Sequence, residues 1–331
     1  MSVAVRPSVE FSDRASSVQA LMRILTPDYF EPIFEPLLGL RVGYVPAPPR
    51  AGHLLVELAA LQLFAHFGVD YYVETLSGDE VSDALVLAGG DVAPLCEPDD
   101  AGRLGLLSAS VPVTLLPRSC AQPPRLRLRR AFVRDDASLA VLPSAALAPD
   151  LLLGLDIAAA GPARHAEGVW LRGDEDGRFA GQGHGDPERL CATAADYLRL
   201  AASSAHVVTD RVECAIAALA QGREVTLLPS VSAVNRSIYE RWLEPRGCRW
   251  RESLDPAWGS APTDAASPAG GDPAGPSHAL ERVLARWEDG VAALVANAEA
   301  RERSHRETRS EEHTSELQSL AYLVCRLLLE K

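Results

Sequence analysis

The stretch from His206 to Leu228 constrains this chain more than any other. His206–Val208 reads as a strand, Val212–Gln221 as a helix closed by Gly222, and Glu224–Leu228 as a second strand. Two strands joined by one short helix pair in parallel, because the crossover returns the chain to the edge where it started. Parallel sheets are covered by helices on both faces, so this unit predicts an α/β fold.

The alternation extends upstream. Arg41–Val45 is a strand, and Leu54–Phe67 has apolar residues at helical spacing up to Gly68, a C-cap residue. Val69–Glu74, Ala84–Ala88, Val111–Leu116, Ala131–Arg134 and Leu147–Leu153 are short apolar or β-branched runs that suit buried parallel strands. A second half opens with Val169–Arg172, followed by Asp186-Pro187 as N-cap and first-turn proline of a helix running to about Ser203.

The expected organisation has a helical N-terminal segment over 1–37, its first helix at about Ser12–Leu25. One strand–helix domain follows over 38–160 and another over 161–254. Residues 255–277 collapse into Pro, Gly, Ala and Ser, as a flexible linker does. Leu280, Val283, Leu284, Trp287 and Val291 then mark one face of an amphipathic helix over 278–308. Residues 309–319 read RSEEHTSELQS, the one-frame translation of a widely used short-read sequencing adapter. Residues 309–331 are expected to be an artefact and are set aside.

Composition narrows the function classes. A net charge of -13 opposes binding to nucleic acid or an anionic membrane surface, although a small anionic ligand can still bind in a local cationic pocket. The 6 cysteines show no metal-like spacing and read as free thiols in a reducing compartment. No signal peptide and no apolar run of spanning length occurs, so a cytoplasmic protein is expected. None of the histidines has ligand spacing, and no metal site is predicted.

Ligands of open parallel sheets lie beyond the carboxyl ends of strands, against helix N-termini. Thr209-Asp210-Arg211-Val212-Glu213 occupies such a point. The helix N-terminus and Arg211 favour an anion there. The same residues read equally as a capping box, with Asp210 and Glu213 serving only the backbone. Gly89-Gly90 after one strand admits close approach of a ligand or simply forms a turn. Arg172, Asp174 and Asp176 end another strand, as a site or as a solvated turn, and Gly52-His53 begin the first long helix.

Taken in order, these pieces resemble the polysaccharide pyruvyl transferase family. The segment HVVTDRVECAIAALAQGREVTLLPSVSAVNRSIYERWLEPRGCRW, residues 206–250, is similar to that family's strand, Thr-Asp-Arg-Leu-His signature, helix, strand and Asn-Arg/Lys turn. The pieces AGHLLVELAALQLFAHFG, LVLAGGD, LLPRS, FVRDDAS, LAPD and VWLRGDED agree in order.

The resemblance implies two Rossmann-like domains in a GT-B-like arrangement, with a cleft between them. It also implies transfer of a pyruvyl group from phosphoenolpyruvate to glycan hydroxyls in exopolysaccharide biosynthesis. The donor is a substrate, and no cofactor is implied. Arg211, Arg172, Thr209, Asp210, Gly89, Gly90, Gly52 and Asn235 become candidates for donor binding, with Arg134 a weaker one. Glu213 and Asp174 become candidates for proton transfer. On this reading Arg211→Ala abolishes anion binding and leaves the fold intact.

The chain departs from the family pattern at several of these positions. Glu213 stands where the family has His, and Arg50-Ala51-Gly52-His53 replaces an Asn-x-Gly-Asp turn. Ala88-Gly89-Gly90-Asp91 replaces Gly-Gly-Gly-Asn, and Arg118 replaces a usual Gln. Two other readings therefore stand beside the active enzyme: a catalytically impaired homologue that partners other proteins of polysaccharide assembly, and a nucleotide-sugar glycosyltransferase of GT-B type.

Overall fold

The computed structural model describes residues 21–258 except 49, 75, 77–81, 91–100, 159, 233 and 257. The described residues belong to one compact unit. The expected linker from 259 onward, the amphipathic helix and the adapter-like tail lie outside the described residues, as does most of the expected N-terminal helix.

Among the described residues the chain is α/β, with two parallel sheets. After strand β1 (Leu21–Met22) and a helical turn α1 (Glu31–Phe34), β2 (Arg41–Val45) leads into α2 (Ala51–Phe67). Gly68 ends α2 in the left-handed region, φ 71°, which a residue with a Cβ adopts only at a cost. The first half continues through β3 (Asp70–Val73), β4 (Ala84–Leu87), α3 (Ala101–Ser110), β5 (Val113–Arg118), β6 (Leu128–Val133), α4 (Asp136–Val141) and β7 (Ala146–Leu147). Its sheet has the order β3-β2-β4-β5-β6-β7, and every neighbouring pair is parallel. Strands β4 and β5 are buried along their whole length, which explains their unbroken apolar character.

The second half begins after the short strand β8 (Ile157–Ala158), which pairs antiparallel with β1. It comprises β9 (His165–Trp170), α5 (Pro187–Leu190), α6 (Ala194–Ala202), β10 (Ser204–Thr209), α7 (Val212–Ala220), β11 (Glu224–Leu227), α8 (Val234–Ile238) and β12 (Arg249–Trp250). Its parallel sheet runs β12-β11-β10-β9.

Three local expectations are corrected. Leu21–Met22 is extended and paired with β8, so the expected helix does not reach Leu25. The run Leu151–Gly154 is a 3-10 turn: the Asp150 side chain accepts from the Leu152 N–H, turning the chain where apolar character had suggested a strand. The helix expected over 187–203 is two helices. It breaks at Cys191, and Thr193 with Asp196 forms a capping box that starts α6 afresh.

The strand order places the first candidate crevice. The chain lays β3 on one side of β2, then returns to put β4 on the other, so the carboxyl ends of β2 and β4 flank a topological switch point. Gly52, His53, Gly89 and Gly90 lie there. The carboxyl end of β6 meets the second half, where Trp242 Nε1 donates to the Arg134 carbonyl at 3.0 Å. Among the described residues no helix is long and apolar enough to cross a membrane.

Candidate functional site

Side chains from the carboxyl ends of both sheets form one buried ionic cluster. Its second-sheet part is organised by Arg211, the N-cap of α7, whose N–H donates to Thr209 Oγ1 at 3.0 Å. The backbone of Arg211 is extended (φ −99°, ψ 119°), and its side chain is only 4% exposed. Its Nε and Nη2 donate to the two oxygens of Asp186 at 2.6 and 2.8 Å, a bidentate fork, and Nη2 also donates to Asp174 at 3.0 Å. Burial works against the charge on Arg211, but the hydrogen bond to Asp186 and the nearby carboxylates override it and raise the guanidinium pKa. Asp186 also caps α5 through the Glu188 N–H.

Arg172 lies beside this pair. Its Nε and Nη2 donate to Asp174 at 3.0 and 3.2 Å, so two arginines share one carboxylate. Burial pushes the Asp174 carboxyl upward, but the hydrogen bonds and charges of Arg172 and Arg211 prevail and hold it below its ordinary value. The same balance lowers Asp186. The Arg172 N–H donates to Asp210 Oδ1 at 2.7 Å, while Oδ2 of that fully buried residue has no hydrogen-bond partner. Desolvation pushes Asp210 up to about 6 despite that bond and both arginines.

The capping box is not formed: Asp210 faces Arg172, and the N-cap of α7 has no side-chain hydrogen bond. Glu213 instead points across to the first half. Arg134 Nη1 lies 3.2 Å from Glu213 Oε1, bonds to Asp150 with the same nitrogen, and donates from Nε to Ser119 Oγ at 2.9 Å. Burial raises the Asp150 carboxyl pKa, with Arg134 offsetting only part of the effect. Arg134, the weaker sequence candidate, is thus an arginine bonded to Glu213.

At the switch point, the N–H of Gly52 in the first turn of α2 donates to Glu188 Oε1 at 2.9 Å. A carboxylate from the second half therefore occupies the anion position at this helix N-terminus. A Cβ on Gly52 would meet that oxygen at 2.4 Å and the Glu213 Cγ at 3.5 Å, so the close approach requires glycine. Burial raises the Glu188 pKa, with Arg211 acting against it. His53 is 7% exposed, and its Nδ1 lies 3.0 Å from the Pro48 carbonyl. One helical turn on, Glu57 is buried beside Tyr44, whose hydroxyl donates to it at 2.8 Å. Desolvation pushes Glu57 up to about 7, with Tyr44 and His53 acting in the opposite direction.

Among the sequence-predicted residues, Arg211, Arg172, Asp174, Asp210 and Thr209 come together, and Glu213 joins them to Arg134. Asn235 packs in the same region as a backbone clamp, donating to the carbonyls of Asp210 and Leu228 at 2.7 and 3.0 Å. Gly89 serves close packing onto the Pro117 carbonyl, which a Cβ would meet at 2.6 Å, and Gly90 (φ 115°) exchanges backbone hydrogen bonds with the end of β5. The sequence reading missed Glu188, Asp186, Asp150 and Glu57 as members of the cluster. Asp186 was legible only as a helix cap. For Glu57, the signal was an acidic residue on the apolar face of a helix. Among the described residues no three His, Cys, Asp or Glu side chains are placed to hold a metal.

No protein-family profile matches the chain, and no curated protein does. Among solved structures, a functionally uncharacterised protein from Klebsiella pneumoniae subsp. pneumoniae is similar at a TM-score of 0.55 and 17% identity, covering 68% of this chain and 97% of its own. At that identity the likeness concerns the fold alone.

Proposed function

We propose that this chain is a transferase resembling polysaccharide pyruvyl transferases, with two Rossmann-like halves in a GT-B-like arrangement. In this reading it acts in the cytoplasm and moves a pyruvyl group from phosphoenolpyruvate to a glycan hydroxyl. The observation that carries it is the sharing of Asp174 by Arg172 and Arg211. Two guanidinium groups converging on one carboxylate form a receptor for a small anion. The Asp174 side chain is 33% exposed, whereas Asp186 is 4% exposed. Asp174 is therefore the partner that an incoming carboxylate or phosphate displaces, and Asp186 keeps Arg211 in place.

Phosphoenolpyruvate should raise the melting temperature, because a ligand that binds only the folded state stabilises it. Asp174→Asn, which removes the competing charge, should strengthen that effect. Phosphate release with a glycan acceptor then measures transfer. If phosphoenolpyruvate stabilises neither protein while nucleotide sugars do, the donor assignment is wrong.

A second reading has its own observation. Arg134, Arg172 and Arg211 are each neutralised by carboxylates of this chain, and Glu213 is engaged by Arg134. That arrangement favours a catalytically impaired homologue acting as a partner in polysaccharide assembly. Phosphoenolpyruvate binding without phosphate release from any acceptor would identify it.

A further inference from the structure

The amino end of the first sheet, opposite the ionic cluster, carries a run of arginines in an otherwise acidic chain. Arg125, Arg127 and Arg129 are exposed and alternate with Leu126 and Leu128, which pack against the core around β4 and β5. The leucines hold one face of this extended segment inward and so keep the arginines on the other. The register slips between the pairs Val113–Leu128 and Thr114–Arg130, which makes Arg129 the extra residue of a bulge. Among the described residues none of the three arginines has a hydrogen bond or an ion pair, unlike Arg172 and Arg211.

Arg127 and Arg129 line one side of a pocket of about 390 Å³. The other side is the C-terminal end of α3, Ser108–Ser110, followed by Val111 and Pro112. The Ser108 and Ser110 hydroxyls donate to the carbonyls of Gly105 and Leu107 at 2.8 and 3.2 Å, so toward a ligand their oxygens can only accept. The last carbonyls of α3 have no helical N–H beyond them, and Pro112, four residues after Ser108, has none to give. One wall therefore supplies acceptors at the negative end of a helix, and the other supplies guanidinium donors.

That combination selects the ligand. A bare anion suits the arginines but faces the negative helix end. A neutral sugar suits the acceptors and leaves the arginines unused. A sugar that carries an acid serves both walls: its carboxylate takes the guanidinium donors and its hydroxyls donate to the oxygens of α3. We propose that this pocket binds an acidic sugar unit of a glycan chain, with Arg125 extending the cationic edge beyond it. The net charge of -13 opposes the dense phosphates of a nucleic acid, whereas an acidic glycan spreads its charges more sparsely. These residues are separate from the Arg172–Arg211 site, so the proposal stands without the transferase reading.

Calorimetric titration with short oligogalacturonate tests it, with a neutral maltooligosaccharide, inorganic phosphate and single-stranded DNA as comparisons. Oligogalacturonate should bind better than the neutral sugar and more weakly as salt rises. The double variant Arg127→Ala/Arg129→Ala should lose about 10-fold or more of that affinity. Its melting temperature should stay at the wild-type value, because both side chains are exposed, and so should any shift induced by phosphoenolpyruvate. Equal affinity of the variant, or no binding by the wild type, overturns the proposal. An equal loss of phosphate binding in the variant would mark a bare-anion patch, and tighter binding of DNA would mark a nucleic-acid surface; either result overturns it too. Failure of phosphoenolpyruvate to bind, with oligogalacturonate bound as expected, sinks the transferase reading alone.

Discussion

Arg134 and Glu213 lie 3.2 Å apart with side chains 2% and 5% exposed, and they tie the carboxyl end of β6 to the first turn of α7. Asp150 is a second carboxylate on Arg134 and also caps the Leu152 N–H. Glu213→Ala removes one acid partner of Arg134 and should cost about 1–3 kcal/mol. Asp150→Ala removes both a charge partner and a cap and should cost about 3–5 kcal/mol. Urea denaturation of the two variants measures this ranking. Equal losses would mean that Asp150 is not the principal partner of Arg134.

Arg211→Ala should destabilise the fold, contrary to the expectation from sequence. The guanidinium is buried and serves Asp186 and Asp174, with Glu188 at 4.0 Å. Removing it strands carboxylates in a desolvated region, and a loss of about 3–5 kcal/mol is expected. Arg211→Lys restores the charge but not the two-pronged fit, so its melting temperature should fall between those of wild type and Arg211→Ala. A melting temperature for Arg211→Ala within error of wild type would show that the cluster contributes little.

Stability should depend on pH through Glu57. Its folded value of about 7 lies above the 4.5 of an unperturbed glutamate, so the folded state keeps a proton that the unfolded chain releases. The contribution is complete below pH 4.5, declines as pH rises, and levels off above about 7. The decline is roughly 3 kcal/mol for a shift of this size. Asp210, pushed up to about 6, acts with the same sign. Asp174 and Asp186, held low, act oppositely and only at more acid pH. Glu57→Gln keeps an acceptor for Tyr44 and should flatten the unfolding free energy across this window. An unchanged slope in the variant would place the titration elsewhere.

What the sequence disclosed follows from what local chemistry can encode. The βαβ unit from β10 to β11 was legible because β-branched runs, a helical repeat and Gly222 agree within two dozen residues. Leu151–Gly154 was misread because four apolar residues look alike in a strand and in a buried turn, and the deciding bond comes from Asp150. The break at Cys191 followed from a capping box whose members, Thr193 and Asp196, are visible in the sequence but compete with a continuous helical pattern. The candidate site divides the same way. Thr209, Asp210 and Arg211 are contiguous and could be read together. The pairings Arg134–Glu213 and Gly52–Glu188 join residues far apart in the chain, and only the strand order brings them together.

Gly52 and Gly89 both stand where a Cβ collides, but against different obstacles, and the two alanine variants should separate them. At Gly52 the obstacle is Glu188 Oε1 at 2.4 Å, the far end of a flexible side chain that can swing away. Gly52→Ala should therefore lose one hydrogen bond to a carboxyl oxygen, about 1–3 kcal/mol. At Gly89 the obstacle is the Pro117 carbonyl oxygen at 2.6 Å, held in place where β5 exchanges backbone hydrogen bonds with Gly90. That oxygen cannot rotate away, so Gly89→Ala has to move a strand end and should be the costlier change. Denaturant midpoints decide the order. A smaller loss at Gly89 than at Gly52 would show that the end of β5 yields more easily than the carboxylate of Glu188.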